Sequence, residues 1–216
     1  MTDTSRPAST RAWLAIALIG IVGFVLMTGL VASRTVIPFD KPLLDLGHSW
    51  MGYADVWNLL SNAANLPLIG IGVGIVLWMF WKHRHREAIV VIVVLAAVTA
   101  GSEGVKLLVA RPRPPGFDTA IPGVVYSYPS GHVLEALTIC GIIAIVVWRS
   151  AQPRWLRAGL AIAVAIFVAL VAVARVALNA HYPSDVLGGF LAGIAVLALF
   201  ALVTSRWHDA PPTGSG

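Results

Sequence analysis

The stretch RVALNAHYPSDVLGGFLAGIAVLALFALVT, residues 175–204, decides how the rest of the chain is read. Residues 186–204 carry no charge, and a run of that length approaches the ~20 residues a helix needs to cross a ~30 Å hydrocarbon core. Pro183 stands where such a helix would begin, and proline suits a first turn because its missing N–H has no intrahelical acceptor there. His181 and Asp185 are thereby placed at the mouth of a membrane-crossing helix, and Arg175 stands near the end of the apolar segment before it.

Outward from that stretch, five more apolar runs lie at roughly 13–33, 59–81, 88–109, 131–148 and 156–178. They belong to a chain of 216 residues that is 58% hydrophobic and only 12% charged, with mean hydropathy +0.83. An ordinary soluble globule does not have that balance. Backbone groups in lipid must be satisfied within their own segment, and no strand-like alternation points to a barrel, so all six runs are expected to be helices. The expected fold is all-α: a six-transmembrane-helix bundle formed by residues 11–208 of an integral membrane protein. Polar or Pro/Gly-rich disordered tails are expected at 1–10 and 209–216.

The first run follows Arg6 and Arg11, and Val31-Ala32-Ser33 loosely imitates a signal-peptidase site. A cleaved signal peptide competes with a retained helix, and the retained helix is favoured because the run exceeds the usual ~7–15-residue apolar core of a signal. Cys140 is the single cysteine. It permits no intrachain disulfide and is expected to pack as a core thiol.

Lysine and arginine in short loops set orientation. With the N-terminus inside, one side holds Arg6, Arg11, Lys82, Arg84, Arg86, Arg149, Arg154, Arg157 and Arg206, whereas the other holds Arg34, Lys41 and Arg111 besides Lys106, Arg113 and Arg175. Both termini are expected to be cytoplasmic in a multi-pass protein of the cell membrane. The net charge of +5 reads as this topology signal and not as nucleic-acid binding, because the cations are dispersed and no basic stripe interleaved with aromatics occurs. The same orientation puts the connections around residues 110–130 and 178–185 on the extracytoplasmic side. The first outer connection, 34–58, carries Trp50, Tyr53 and Trp57. Two readings apply to it: interfacial anchoring, which is favoured, and a lid over a site.

Those outer connections hold the residues that suggest chemistry. Asp185 follows His181 at i, i+4, a spacing that lets a carboxylate reach one imidazole nitrogen, set the tautomer and leave the other nitrogen to attack. An arginine as deep in an apolar segment as Arg175 is costly and marks a site or a partner. Pro129-Ser130-Gly131-His132 opens the fourth run: Ser130 is a candidate N-cap, Gly131 allows close approach, and free N–H groups at a helix start favour an anion. His132 would point to the same place and protonate a departing alkoxide. Lys106 lies about one turn before the end of the third run, and Arg113-Pro114 follows Arg111-Pro112. Either arginine suits phosphate oxygens or lipid headgroups, and spacing favours Arg113 as the phosphate ligand.

Lys106-x6-Arg113-Pro114, Pro129-Ser130-Gly131-His132 and Arg175-x5-His181-x3-Asp185 together resemble the three-part signature of the type 2 phosphatidic acid phosphatase superfamily, which also includes vanadium haloperoxidases and glucose-6-phosphatase-like enzymes. The signature covers residues 106–185 and the helical layout extends the likeness over nearly the whole chain. The resemblance implies a mechanism without metal or other cofactor. In it His181 attacks phosphorus to form a phosphohistidine, Asp185 orients His181, and His132 protonates the leaving lipid oxygen. Lys106, Arg113, Ser130, Gly131 and Arg175 hold the phosphoryl oxygens, and water activated by an imidazole then releases phosphate.

Two departures stand out. Relatives often carry serine before the third-motif arginine, where this chain has Ala174. Glu135, one turn from His132, replaces a more usual small or apolar residue. It either tunes His132 or is satisfied by a neighbouring helix, and Glu103 stands where it can pair with Lys106. Lys82-His83-Arg84-His85-Arg86 reads as cytoplasmic anchoring and not as a metal site, and Asn62 and Asn65 read as interhelical hydrogen-bonders. Nothing in the chain resembles a Walker loop, a zinc-ligand cluster or a cofactor fingerprint.

The expected function is that of an integral membrane lipid phosphatase acting at the extracytoplasmic headgroup level. Its expected substrate is a membrane lipid phosphate or diphosphate: by family resemblance a polyprenyl species such as undecaprenyl diphosphate, phosphatidylglycerol phosphate or phosphatidic acid. A phosphotransferase with an acceptor other than water, and a non-catalytic lipid-phosphate transporter, are the rival readings. A haloperoxidase is disfavoured because those relatives are soluble. Oligomeric state is open.

Overall fold

A computed structural model describes residues 10–117, 125–150 and 152–208, with side chains up to Ser205. Of the two tails expected to be disordered, residues 1–9, with Arg6, and 209–216 lie outside the described residues, as does the Arg206 side chain, whereas Thr10, expected in the tail, opens the first helix. Among the described residues eight α-helices follow one another: α1 Thr10–Ala32, α2 Asp40–His48, α3 Ala54–Ala63, α4 Leu66–Trp81, α5 His85–Val109, α6 Gly131–Trp148, α7 Arg154–Ala177 and α8 Pro183–His208. A 3-10 turn at Met51–Tyr53 leads into α3. Among the described residues the one β feature is an isolated antiparallel bridge between Pro112 and Tyr126. Six segments are long and apolar enough to cross a bilayer: α1, the Met51–Trp81 segment, α5, α6, α7 and α8.

The second span departs from the single run expected at 59–81. It breaks at Ala64 and Asn65, and Pro67 lies in the first turn of α4. Proline has no N–H to give to the carbonyl four residues back, so the helix restarts at this point instead of continuing. The two halves then take different neighbours: α3 packs on α7, and α4 packs on α5 and α6.

α8 occupies the middle of the bundle, packing along α1 and α6 and touching α2, α5 and α7. Without a hydrophobic drive between helices in lipid, close van der Waals approach has to hold them, and small residues permit it. Gly189 and Gly193 give α8 a small-xxx-small face towards α6. A Cβ on Gly189 would stand 2.6 Å from the main-chain oxygen of Ser130, and one on Gly193 would stand 2.7 Å from Leu137. On the other side a Cβ on Gly20 of α1 would meet Ala195 at 2.8 Å. Cys140 packs against a buried cluster that includes Leu68, Val133, Ile139 and Val171, as a core thiol would. The outer surface of the bundle carries Leu18, Ile19, Val25, Leu108 and Trp155, all more than half exposed. Apolar side chains there face lipid, not water.

The segments that follow α5 and α7 are tied down by local chemistry. Ala110, in the left-handed region at φ 47°, ends α5 and donates its N–H to Lys106 O at 2.8 Å. Prolines 112 and 114 then prevent the helix from resuming. The emerging segment pairs with residues 126–127, with Ser127 N donating to Arg111 O at 3.0 Å. After α7, the N–H groups of Ala180 and His181 both fold back onto Arg175 O, at 3.1 and 3.2 Å. Asn179 takes the left-handed conformation this turn requires (φ 54°), which asparagine tolerates better than most residues.

Candidate active site

Three helix ends meet at one face of the bundle: the C-terminal end of α5, the N-terminus of α6, and the α7–α8 junction. Ser130 N donates to the main-chain oxygen of Asp185 at 3.0 Å. Together with the Gly189 contact, this bond places Ser130-Gly131-His132 directly beside the first turn of α8. The structure brings together every residue singled out in the three sequence motifs. The Arg175, Lys106 and Arg113 charges and the His181 ring all act electrostatically on His132. A Cβ on Gly131 would lie 3.6 Å from Lys106 Nζ, so the ammonium sits over the start of α6.

His181 is 2% exposed and Asp185 fully buried. The expectation that Asp185 holds an imidazole nitrogen needs correction. Nδ1 of His181 lies 2.8 Å from the main-chain oxygen of Ser127, whereas Asp185 Oδ2 is 3.7 Å away, beyond a hydrogen bond. Oδ2 instead accepts from Tyr182 N at 2.9 Å. Since a carbonyl can only accept, Nδ1 carries the proton and the lone pair resides on Nε2. Burial, opposed by Asp185 and reinforced by Arg175 and Arg113, pulls the His181 imidazole down to about 4. The ring is therefore neutral near pH 7, the form a nitrogen nucleophile requires.

The cations divide into two groups. Arg175, on α7, donates from Nη1 to Ser61 Oγ at 2.5 Å, while its buried Nε has no protein partner. Ser61 of α3 thus provides a hydroxyl where Ala174 cannot. Arg113 donates to Ala180 O at 2.6 Å and lies over the Phe117 ring. Burial lowers its pKa, with Asp185 and Glu103 opposing. Lys106 is held by Glu103 at 2.6 Å, the pairing foreseen from their spacing. Arg111 differs from all of these, because it is engaged by two carboxylates: Asp185 Oδ1 at 2.5 Å and Asp40 Oδ2 at 2.7 Å. Burial works against its charge, but the two carboxylates outweigh it and raise its pKa.

Ser130 occupies the N-cap position of α6 but makes no capping bond with its side chain. Its hydroxyl is fully buried and without a protein partner, which leaves a hydrogen-bond donor uncommitted at the start of α6. Glu135 accepts a long 3.4 Å hydrogen bond from Thr99 of α5, as a residue satisfied by a neighbouring helix would. Sequence reasoning missed Asp40, Ser61, Ser127 and Ser184. Arg111 was visible as a second Arg-Pro pair, and the one signal that could have found Ser61 is its place beside Asn62 in an otherwise apolar segment. Asp40 and Ser127 carried no spacing signal. Among the described residues no cluster of three or more metal-ligating side chains occurs.

The PAP2 superfamily model matches residues 87–209, a segment that contains all three motifs. Among solved structures, the crystal structure of the first transmembrane PAP2 type phosphatidylglycerolphosphate phosphatase from Bacillus subtilis resembles this chain with a TM-score of 0.68 and 21% identity. The match covers 89% of this chain and 98% of that one, and at such identity it is a likeness of fold. No match was found among curated proteins.

Proposed function

Because this chain belongs to the PAP2 superfamily, we propose that it is an integral membrane phosphatase that hydrolyses a phosphate or diphosphate ester of a membrane lipid, at the extracytoplasmic face and without metal. The observation that carries the reading is the state of His181. Its Nδ1–H is taken by Ser127 O and its ring is neutral, so the Nε2 lone pair is left unengaged among the charges of Arg175 and Arg113, with Lys106 and the unpartnered Ser130 hydroxyl at the neighbouring start of α6.

The steps follow from that arrangement. The negative charge of the bound phosphate offsets the surrounding cations and favours a protonated His132; Nε2 of His181 attacks phosphorus as the bond to the lipid oxygen breaks, and His132 gives its proton to that oxygen. Water then attacks the phosphohistidine and loses its proton to His132, the P–N bond breaks, and inorganic phosphate leaves. The three cations, the Ser130 hydroxyl and the N–H groups opening α6 stabilise the equatorial oxygens as charge develops, and this supplies most of the rate in phosphoryl transfer. Asp185 favours the cationic character of His181 through space.

A lipid substrate need not leave the bilayer. One apolar groove of about 370 Å³ runs between α1, α5 and α8 up to Ser102 and Pro129. A second of about 420 Å³ runs between α4 and α5 and contains Thr99 and Glu135. Both offer an acyl or prenyl tail a path beneath a phosphate at the site. Polyprenyl diphosphate, phosphatidylglycerol phosphate and phosphatidic acid are the candidate substrates, and phosphatidylglycerol phosphate is favoured by the activity named for the Bacillus subtilis protein of similar fold.

The test is phosphate release in detergent micelles with EDTA, comparing the wild type with His181→Ala on the three lipids. Release by the wild type alone supports a metal-free histidine phosphatase and ranks its lipids. Release that EDTA abolishes, or that survives in His181→Ala, overturns the mechanism.

A further inference from the structure

Arg111 and Asp40 form an arrangement that phosphate binding does not explain. Arg111 Nη1 donates to Asp185 Oδ1 at 2.5 Å and to Ser184 Oγ at 2.7 Å, and Nη2 donates to Asp40 Oδ2 at 2.7 Å. The carbon of its guanidinium also lies over Tyr182, 4.0 Å from the ring centroid. Both terminal nitrogens are committed to protein groups, so Arg111 is not a free phosphate ligand. Asp40 reaches the same point from α2, the helix of the first outer connection. Its Oδ1 accepts from Ser184 N at 2.8 Å, and its Oδ2 accepts from Ser184 Oγ at 2.7 Å. A carboxylate from another helix thus caps α8, where the exposed N–H groups and the dipole favour negative charge.

Asp40 is 6% exposed and Asp185 fully buried. Two buried carboxylates this close are tolerable only with a cation between them, and Arg111 provides it. Asp185 is therefore held by Arg111 on one oxygen and by Tyr182 N on the other, with no hydrogen bond to His181 itself. Its distance and direction from the imidazole depend on Arg111, and through Arg111 on Asp40.

We propose that Asp40 and Arg111 are positioning residues: α2 uses them as a clamp that sets where Asp185 stands relative to His181 and how much of its negative charge His181 feels. The inference rests on the phosphatase reading of the site. It gives the first outer connection a function distinct from both anchoring and covering the substrate.

The two members act in opposite directions on His181, which separates this role from a merely structural one. The charged or titratable groups that act on the imidazole are Asp185 on α8, Arg175 on α7, His132 on α6 and Arg113 on the segment after α5; Arg111 and Asp40 reach it through Asp185. Arg111→Gln removes a cation and leaves Asp185 unopposed, so His181 takes up a proton more readily. Asp40→Asn leaves the Arg111 charge directed wholly at Asp185, so His181 takes up a proton less readily. Asparagine at 40 can still accept from Ser184 N, which preserves the α8 cap.

The experiment measures kcat, KM and the acid limb of kcat/KM in micelles, together with the titration of His181 followed by imidazole NMR. Asp40→Asn is expected to lower kcat about tenfold with KM within about twofold, and Arg111→Gln about a hundredfold. The double variant should be no worse than Arg111→Gln alone, because Asp40 acts through Arg111. His181 should titrate about one pH unit higher in Arg111→Gln and lower than wild type in Asp40→Asn. Arg111→Lys keeps the charge but cannot span two carboxylates, so it should show the same loss confined to kcat, and it serves if Asp40→Asn unfolds. Wild-type kcat in Asp40→Asn, strictly additive losses, or a His181 titration that neither variant moves would overturn the clamp. If the wild type hydrolyses no lipid phosphate, the phosphatase reading fails, and the NMR titration still decides the clamp.

Discussion

His181 Nδ1 sits 2.8 Å from the main-chain oxygen of Ser127, so the backbone, and not a carboxylate, dictates the tautomer of the candidate nucleophile. A backbone acceptor does not titrate. The Nε2 lone pair is thereby presented at every pH at which the ring is neutral, and Asp185 is left to act through its charge alone.

This relationship has a pH signature. Burial lowers the His181 pKa from 6.5 to about 4. Between those values the unfolded chain binds a proton that the folded chain does not, so His181 adds to stability as pH rises and lowers it as pH falls towards about 4. Thermal unfolding in detergent should show Tm falling from about pH 6.5 to about pH 4.5, with a shallower slope in His181→Gln. The acid limb of kcat/KM due to this group should lie well below 6.5. An acid limb centred near the ordinary histidine value, sensitive to changes at position 181, would contradict it.

Ser130→Ala tests whether a helix-cap serine serves the site. Losing a capping bond typically costs about 1 kcal/mol, but the Ser130 hydroxyl makes none here. The variant is expected to keep or slightly raise its Tm while kcat falls about 10- to 100-fold through loss of a donor to the developing charge. A lower Tm with unchanged kcat would assign the hydroxyl to the helix instead.

Ser61→Ala should behave differently. It strips Arg175 Nη1 of a partner in a buried setting, and leaving such a group unsatisfied costs about 1–3 kcal/mol. Tm should fall, and the loosened guanidinium should weaken binding, raising KM and the inhibition constant of inorganic phosphate together by about fivefold. Ser61→Thr, which keeps the hydroxyl, should restore both. An intact response to phosphate in Ser61→Ala would mean that Arg175 is oriented by other groups.

Sidedness is tested by labelling. In a Cys140→Ala background, Val36→Cys, at a position 86% exposed beyond the outer end of α1, should react with a membrane-impermeant maleimide in intact cells. Lys82→Cys, at the exposed turn after α4, should react only after the membrane is opened. The reverse pattern would put the site on the cytoplasmic face.

Most of the scaffold was legible before any coordinates. Hydropathy is a local property, and lipid allows a spanning segment only a few backbone solutions, so residues 186–204 alone announce a crossing helix. The motif residues were legible for a related reason: a charge or imidazole at the mouth of an apolar helix is costly and stands out by type and spacing. Pro67 was equally visible, but the break it causes was not, because proline is tolerated in some spanning helices and its effect depends on what the neighbours supply.

Hydropathy and motif spacing were enough to call for a six-span helical membrane protein and to single out Lys106, Arg113, Ser130, Gly131, His132, Arg175, His181 and Asp185 as candidates for one site. It took the folded chain to show that Ser127 O holds His181, that Ser61 holds Arg175, and that Arg111 pairs with Asp40 and Asp185. Those partners are separated by 54, 114, 71 and 74 positions in the chain. No periodicity of helix or loop encodes such separations. They arise where α2, α3 and the connection between α5 and α6 meet the α7–α8 junction, and buried polar groups with unmet hydrogen bonds must take whatever partner that packing brings within reach.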